Sequence, residues 1–334
     1  MSELKAGFQS LPEEYQAVLR LAQEQHQIMV APLQTLVGGW SGAVVFLVSV
    51  AWNETKRVEH CILKLDRKSK TARSDEVTRH NSVLETSTPE FAREHIAELV
   101  FDRVEQDGAI AIFYCIAGQS LLKYRPLSNY ERQSQLKTIF TKTDAVLLDK
   151  WNANHAFEQA VHPQTVLKKW LGFRLDTGGN IEQFLQARVN QHVGGLLVNG
   201  HVFPNPLSYA RNPDLWGTPR SIDIASGFIH GDLNVNNILV KFAEDHESLD
   251  GYYLIDFALF KEDMPLLYDQ RYLEMSYLMQ AMSQVSFAKY VDFLTRLAVA
   301  DIPDPRKVPI EMTGVSEVIA SARGAFASFD GAAE

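Results

Sequence analysis

Cysteine is nearly absent from this 334-residue chain: Cys61 and Cys115 are its only two. Two thiols are too few for a disulfide framework or a thiolate metal site, and they predict a reducing, cytoplasmic setting. Long apolar runs are missing as well. No stretch approaches the roughly 18 residues that a membrane-crossing helix needs, so no membrane partner is expected. The start, Met1-Ser2-Glu3-Leu4-Lys5, lacks a basic stretch followed by an apolar one, which argues against a secretory signal. Positive charge is scarce too. A net charge of −9 speaks against a nucleic-acid partner, because phosphate backbones call for clustered Lys and Arg. The one basic concentration is Lys64, Arg67, Lys68, Lys70 and Arg73, whose later members read as a solvated loop. Internal repeats and low-complexity tracts are also lacking.

What remains is an ordinary globular composition, 46% hydrophobic, on a chain longer than one typical domain. Residues 11–27 predict a helix: Ser10 can cap it, Pro12 suits its first turn, and Val18, Leu19 and Ala22 give an apolar side. Strand signals follow at Val30–Val37, Ala43–Trp52 and His60–Leu65, the first two separated by Gly38-Gly39-Trp40-Ser41-Gly42. Asp75–Glu85 reads as a helix stopped by Ser87-Thr88-Pro89. Ile96–Glu105 and Ala109–Cys115 are joined by Gln106-Asp107-Gly108, a strong hairpin signal. This predicts a five-stranded antiparallel sheet with one helix inserted after the third strand. Beyond Gly118 the chain turns mainly helical, with candidates at Asn129–Trp151, Pro163–Arg174, Ile181–Val193, Asp269–Met282, Phe287–Ala300 and Val315–Phe326. Val198–His201 reads as a small hairpin, Pro204–Gly217 as loop, and Ile238–Lys241 and Tyr252–Ile255 as short strands around a polar turn. The fold class expected is α+β: a β-rich lobe, a hinge and a larger helical lobe.

The chemistry concentrates in His230-Gly231-Asp232-Leu233-Asn234-Val235-Asn236-Asn237, followed by strand, turn, strand and Ile255-Asp256-Phe257. Phosphoryl transfer needs little covalent help from a protein, only positioning and charge. Asp232 is suited to orient an acceptor hydroxyl and take its proton. Asn237 and Asp256 offer hard oxygen ligands of the kind magnesium prefers, and His230 is suited to brace the loop. A turn satisfied by Asp232 and Asn237 alone would leave Asp256 unexplained. The glycines Gly38, Gly39 and Gly42 would let backbone N–H groups approach the β- and γ-phosphates of ATP, with Ser41 as a further donor. Lys64 sits inside an apolar strand, where a lone ammonium is costly. The phosphates and a helix glutamate would remove that cost, with Glu76 the first choice and Glu85 the runner-up. Tyr114 and Ile116 stand where the lobes would join, offering backbone hydrogen bonds and an apolar wall to adenine.

These residues carry a resemblance. The chain is similar to the protein-kinase-like superfamily in its aminoglycoside phosphotransferase and choline kinase branch, which has His-Gly-Asp where protein kinases have His-Arg-Asp. Over roughly residues 30–300 the resemblance implies a bilobal protein-kinase-like fold. It also places Lys64, Asp232, Asn237 and Asp256 at nucleotide and catalytic positions. More narrowly, Gly39–Ala43, His230–Val240, Leu254–Ala258, Asp269 and Leu273-Glu274 resemble kinase-like ternary complex-associated domains of bacterial conflict systems. There such a domain is often the front part of a longer chain, so further domains or partner proteins are implied if this chain is a fragment. Ala258 replaces the glycine of Asp-Phe-Gly, and Asn234 stands where Ser/Thr protein kinases have lysine.

The expected division is an N-terminal helical extension at 1–29, an N-lobe at 30–117 and a helical C-lobe at 118–334 with an inserted region about 150–225. The expected activity is transfer of the γ-phosphate of ATP, with Mg²⁺, to a hydroxyl-bearing acceptor, a small molecule favoured over a protein. The alternative is a kinase-like nucleotide-binding sensor or scaffold of a conflict system. A cationic acceptor would favour carboxylates in the insert, with Asp149, Glu158, Asp176, Glu182 and Asp214 as candidates.

Overall fold

The computed structural model describes residues 6–36, 42–67, 76–121, 123–130, 133–188, 194–198, 201–212, 220–241, 251–299 and 313–330. The chain divides into two units. The first takes Met1–Tyr130 and Asn234–Phe260, the second Glu131–Leu233 and Lys261–Glu334.

In the first unit α1 (Glu13–Gln25) starts at Pro12 with no side-chain cap; Ser10 lies in the preceding turn. Five strands follow in the order β1-β2-β3-β5-β4: β1 (Ile28–Leu36), β2 (Val44–Trp52), β3 (Val58–Arg67), β4 (Leu99–Gln106) and β5 (Ala109–Cys115). All pairings are antiparallel. The hairpin between β4 and β5 turns on Asp107 and Gly108, both at positive φ as an Asp-Gly turn of this kind requires. Between β3 and β4 lie α2 (Glu76–Thr86) and α3 (Pro89–His95), the latter capped by Thr88 Oγ1, which accepts the Phe91 N–H.

The alternation of β3 and β5 sets up everything that follows. Side chains at successive positions point to opposite faces. Cys61, Leu63 and Leu65 with Ala109, Ala111 and Phe113 join Val18, Leu19 and Ala22 of α1 in the main core. On the other face Ile110, Ile112 and Tyr114 pack with Val77 of α2. Lys64 lies opposite Ile112 in the ladder, so it belongs to this second, α2-covered face. The unit is completed by β6 (Tyr124–Pro126).

The second unit opens with α4 (Gln133–Val146), which runs into a π-helical turn at Leu147–Trp151. Next come β7 (Phe157–Val161), α5 (Pro163–Leu171), α6 (Asn180–Arg188), the two-stranded hairpin β8 (Gly195–Val198) and β9 (His201–Pro204), and α7 (Pro206–Arg211). Leu175, Leu185, Leu207 and Ala210 give this insert a small core of its own. A strand β10 (Ile222–Ile229) then leads into His230. The chain passes back to the first unit for β11 (Ile238–Lys241) and β12 (Tyr252–Leu254), which with β6 form a sheet in the order β12-β11-β6. It finally returns for β13 (Lys261–Pro265), which pairs β10 in the order β13-β10-β7, and for α8 (Leu267–Ala281), α9 (Phe287–Val299) and α10 (Thr313–Asp330). Among the described residues no helix is long and apolar enough to cross a membrane.

The segment read as loop, Pro204–Gly217, holds a short helix because Asn205 Oδ1 accepts the N–H groups of Leu207 and Ser208 and Pro206 opens it. Asn152, fully buried, clasps β10 through Phe228: Oδ1 accepts the Phe228 N–H at 2.8 Å and Nδ2 donates to the Phe228 carbonyl at 3.0 Å.

Candidate functional site

In the first unit the ammonium of Lys64 lies 2.7 Å from Glu76 Oε2 and 3.2 Å from Asp256 Oδ1. Glu76 at the start of α2, rather than the runner-up Glu85, fills that place. Burial opposes the charge on Lys64, but Asp256 and Glu76 outweigh it and hold the ammonium above its ordinary pKa. For Glu76 burial pushes the carboxyl up, with Lys64 pulling it down and Asp256 pushing it further up. The two shifts pull in opposite senses for an ion pair. The charged pair is the state the contacts serve, since both Glu76 oxygens accept from Lys64 within hydrogen-bond range.

The Tyr114 side chain is engaged with this pair. Its phenol is buried and donates to Glu76 Oε1, and burial followed by the Glu76 charge raises its pKa well above the usual value. Helix α2 also fixes the backbone beyond Asp256. Arg79 donates to the Ala258 carbonyl, and the His80 ring stands edge-on to Phe257 and Tyr114, each at 5.5 Å. Asp256 itself has φ of 66°, a conformation that aspartate tolerates better than bulky residues do. Asn237 is held close in sequence register: its carbonyl accepts the Ile255 N–H at 3.1 Å, and Ile238 pairs Leu254. One carboxylate and one amide, a residue apart across that ladder, form a donor set that fits a magnesium ion sharing its sphere with nucleotide phosphates. Ile116, half-buried, gives its carbonyl to the Gln119 N–H at 2.8 Å. Gly118 follows at φ 57°, where a Cβ would lie 2.1 Å from the Tyr124 ring, so only glycine fits. Gly38, Gly39 and Ser41 lie outside the described residues; Gly42 is at φ 79°.

In the second unit His230 is fully buried and Gly231 has φ of 81°, the left-handed region in which glycine carries no Cβ penalty. Their two N–H groups converge on the carboxylate of Asp269, at 2.6 and 2.9 Å. His230 Nδ1 accepts the Asp232 N–H at 3.3 Å. The loop is thus braced from both sides, and the Asp232 carboxylate is left to accept the phenol of Tyr272. Burial raises Asp269 to about 6, against the opposing pull of His230 and the two N–H groups.

Beside Asp269, α8 meets α4 around a cavity of about 20 Å³ lined by Asp144, Leu147, Asn152, Phe228, Asp269 and Gln270. The Gln270 amide donates to Asp144 at 3.0 Å, and burial raises the Asp144 carboxyl to about 8. An acid whose pKa rises on folding binds a proton in the native state, so its contribution to stability falls as pH climbs from the unfolded value near 4 toward 8. Asp144→Asn, which keeps the neutral shape, should flatten this loss and raise the melting temperature at pH 8 by roughly 5 °C, read by thermal denaturation across pH. A variant that melts like the wild type at every pH would show that Asp144 is not protonated on folding.

Tyr272, Tyr268, Arg174 and Asp144 were not reachable as site residues from motif spacing. The one usable signal was the four-residue interval from Tyr268 to Tyr272, which puts both rings on one helix face beside Asp269.

The family model described as "Ternary complex associated domain 9" matches residues 126–327, more than half of the chain. The chain belongs to that family. The family's match includes Asp232, Asn237, Asp256 and Asp269. Among solved structures the chain is similar to the GDP and kanamycin complex of APH(2")-IIia, at 14% identity and a TM-score of 0.40, covering 95% of this chain and 99% of that one. It is also similar to spectinomycin phosphotransferase APH(9)-Ia in complex with ADP and spectinomycin, at 11% identity and a TM-score of 0.39, covering 94% and 100%. A third is the GDP complex of wild-type aminoglycoside 2'-phosphotransferase-IIIa, at 12% identity and a TM-score of 0.38, covering 96% and 93%. No curated protein sequence matches the chain.

Proposed function

We propose that this protein is an ATP- and magnesium-dependent phosphotransferase that moves the γ-phosphate to a hydroxyl acceptor, a small molecule rather than a protein. The observation that carries the reading is the buried ammonium of Lys64 held between Glu76 and Asp256 at 2.7 and 3.2 Å. A structural ion pair needs one carboxylate. A second, on the segment that also offers Asn237, is what a lysine bridging to a metal-bound triphosphate requires. Lys64 would hold the α- and β-phosphates, with Glu76 and Tyr114 fixing its direction from behind. Gly38, Gly39, Ser41 and Gly42 would cover the phosphates, and Ile116 would line the adenine seat. Asn237 and Asp256 would hold Mg²⁺, whose role is to neutralise charge on the phosphate oxygens. Asp232 would orient the acceptor hydroxyl and receive its proton as the bond to phosphorus forms and ADP leaves, with His230 and Asp269 keeping the loop in shape.

The test is release or transfer of label from γ-labelled ATP in the presence of magnesium, with a melting curve alongside. A nucleotide at 100 times its Kd should add about 2.7 kcal/mol to native-state stability. Lys64→Met should lower turnover by roughly a hundredfold, and Asp256→Asn should remove the magnesium-dependent part of the thermal shift. Turnover unchanged in Lys64→Met would end the phosphotransferase reading. A thermal shift with no movement of label would instead support the sensor role.

A further inference from the structure

Beside Asp232 the second unit carries a cluster that the phosphate chemistry does not use. Tyr268 and Tyr272 stack on one face of α8, their ring centroids 5.9 Å apart and their planes 15° from parallel. Trp170 of α5 meets Tyr268 edge-on at 6.1 Å, and its indole N–H is buried without a hydrogen-bond partner. Arg174 hydrogen-bonds Tyr268 and lies within charge range of Tyr272. Among the described residues, the charged groups that reach these two rings are therefore Arg174, Asp232 and Asp269. Asp269 is spent on two backbone N–H groups, and Asp232 is the group reserved for the acceptor hydroxyl.

Among the described residues, the insert carboxylates that a cationic acceptor would need are either paired or exposed. Glu182 is committed to Arg211 at 2.8 Å and to the Gly178 N–H at 2.5 Å. Asp263 holds Lys169 at 2.7 Å. Asp149, Glu158 and Asp176 are exposed to solvent, and Asp214 lies outside the described residues.

We infer that Trp170, Arg174, Tyr268 and Tyr272 form the acceptor seat, and that it takes an anionic hydroxyl compound with a flat or apolar body, not a polycation. This rests on the phosphotransferase reading of Asp232. A guanidinium beside aromatic faces suits a carboxylate or phosphate on a ring. The anion gains a charge-assisted, potentially bidentate contact, while the ring gains area against Tyr and Trp. A polycation would meet the Arg174 guanidinium at like charge, and among the described residues the carboxylates that reach these rings, Asp232 and Asp269, are already engaged by Tyr272 and by two backbone N–H groups. Tyr272 holds the Asp232 carboxylate in one orientation by donating to it, as a positioning residue.

Three alcohols that share a ring and differ in charge make the test: para-hydroxymethylbenzoate, benzyl alcohol and para-aminomethylbenzyl alcohol. Each is given to the wild type with Mg-ATP, and its effect on ATP turnover, by transfer or by competition, is titrated. The anion should act at a concentration lower than the cation by about tenfold or more, as loss of one charge-assisted contact implies. Arg174→Glu should reverse that order, and Arg174→Gln should narrow it. Equal potency of the three, a preference for the cation, or an order unchanged by Arg174→Glu would overturn the inference while Asp232-dependent turnover persists. A wild type that turns over no ATP would instead remove the phosphotransferase reading, and this inference with it.

Discussion

Replacing Asp232 with asparagine is expected to lower γ-phosphate transfer by about 10²–10⁴, the range expected when a general base is lost. The substitution leaves the loop's scaffold intact. The loop is held by backbone groups: the His230 and Gly231 N–H groups bond Asp269, and the Asp232 N–H bonds His230 Nδ1. None of these needs the Asp232 side chain. Asparagine also keeps an oxygen that can accept the Tyr272 phenol, so the local packing has no reason to change. What disappears is the ability to take a proton. The melting temperature and its rise with Mg-ATP should therefore match those of the wild type while transfer of label collapses. Equal turnover in the two proteins would remove Asp232 from the chemistry.

The second large effect is on stability. Arg323 on α10 reaches Glu274 on α8 through Nε at 3.1 Å and Nη2 at 2.9 Å, and its Nη1 donates to the Leu297 carbonyl at the end of α9. Three helices thus share one guanidinium. The Arg323 side chain is 9% exposed and that of Glu274 3%. A buried pair adds little net stability when intact, but removing one partner strands the other in a poor solvent, at a cost of about 3–5 kcal/mol. Arg271 also touches Glu274 at 2.9 Å and softens the loss. Arg323→Ala should therefore cost about 3 kcal/mol and lower the melting temperature by roughly 4 °C. The double variant Arg323→Met with Glu274→Leu should recover more than half of that, because it removes both charges together. A single variant as stable as the wild type would mean that the pair is solvated in practice.

The parts of this molecule that could be read in advance are those where one local signal decides. Strands β1 to β5 declare themselves by β-branched runs and by an Asp-Gly turn. The place of Lys64 follows from the alternation Cys61-Ile62-Leu63-Lys64-Leu65. The sequence offers both Glu76 and Glu85 on one helix as partners for Lys64, and the packing of α2 on β3 selects Glu76. The sheet of β7, β10 and β13 was not legible. β13 reads Lys-Glu-Asp-Met-Pro, a charged stretch that forms a strand only because β10 supplies its ladder, and β10 itself is diluted by Ala225, Ser226 and Gly227. Gly227 is nevertheless required, since a Cβ there would lie 2.4 Å from Asn152 Oδ1. The aromatic cluster beside Asp232 was hidden for a related reason. Trp170 and Arg174 are separated from Tyr268 by almost a hundred residues, and nothing in the intervening pattern announces that they meet.

The first unit is made from two separated lengths of chain, and this bears on how it comes off the ribosome. When Tyr130 has been added, β1 to β5 are complete, yet α3 still lacks its partners on β12. His95 Nδ1 contacts the Tyr252 carbonyl at 3.0 Å, and Ile96 bridges Leu254. Lys64 likewise has Glu76 but not Asp256. At about 5–20 residues per second the nascent sheet waits on the order of ten seconds for that later segment. Throughout that interval Lys64 has only one of its two carboxylates, so the buried ammonium acquires its full charge balance only after the entire insert has been translated.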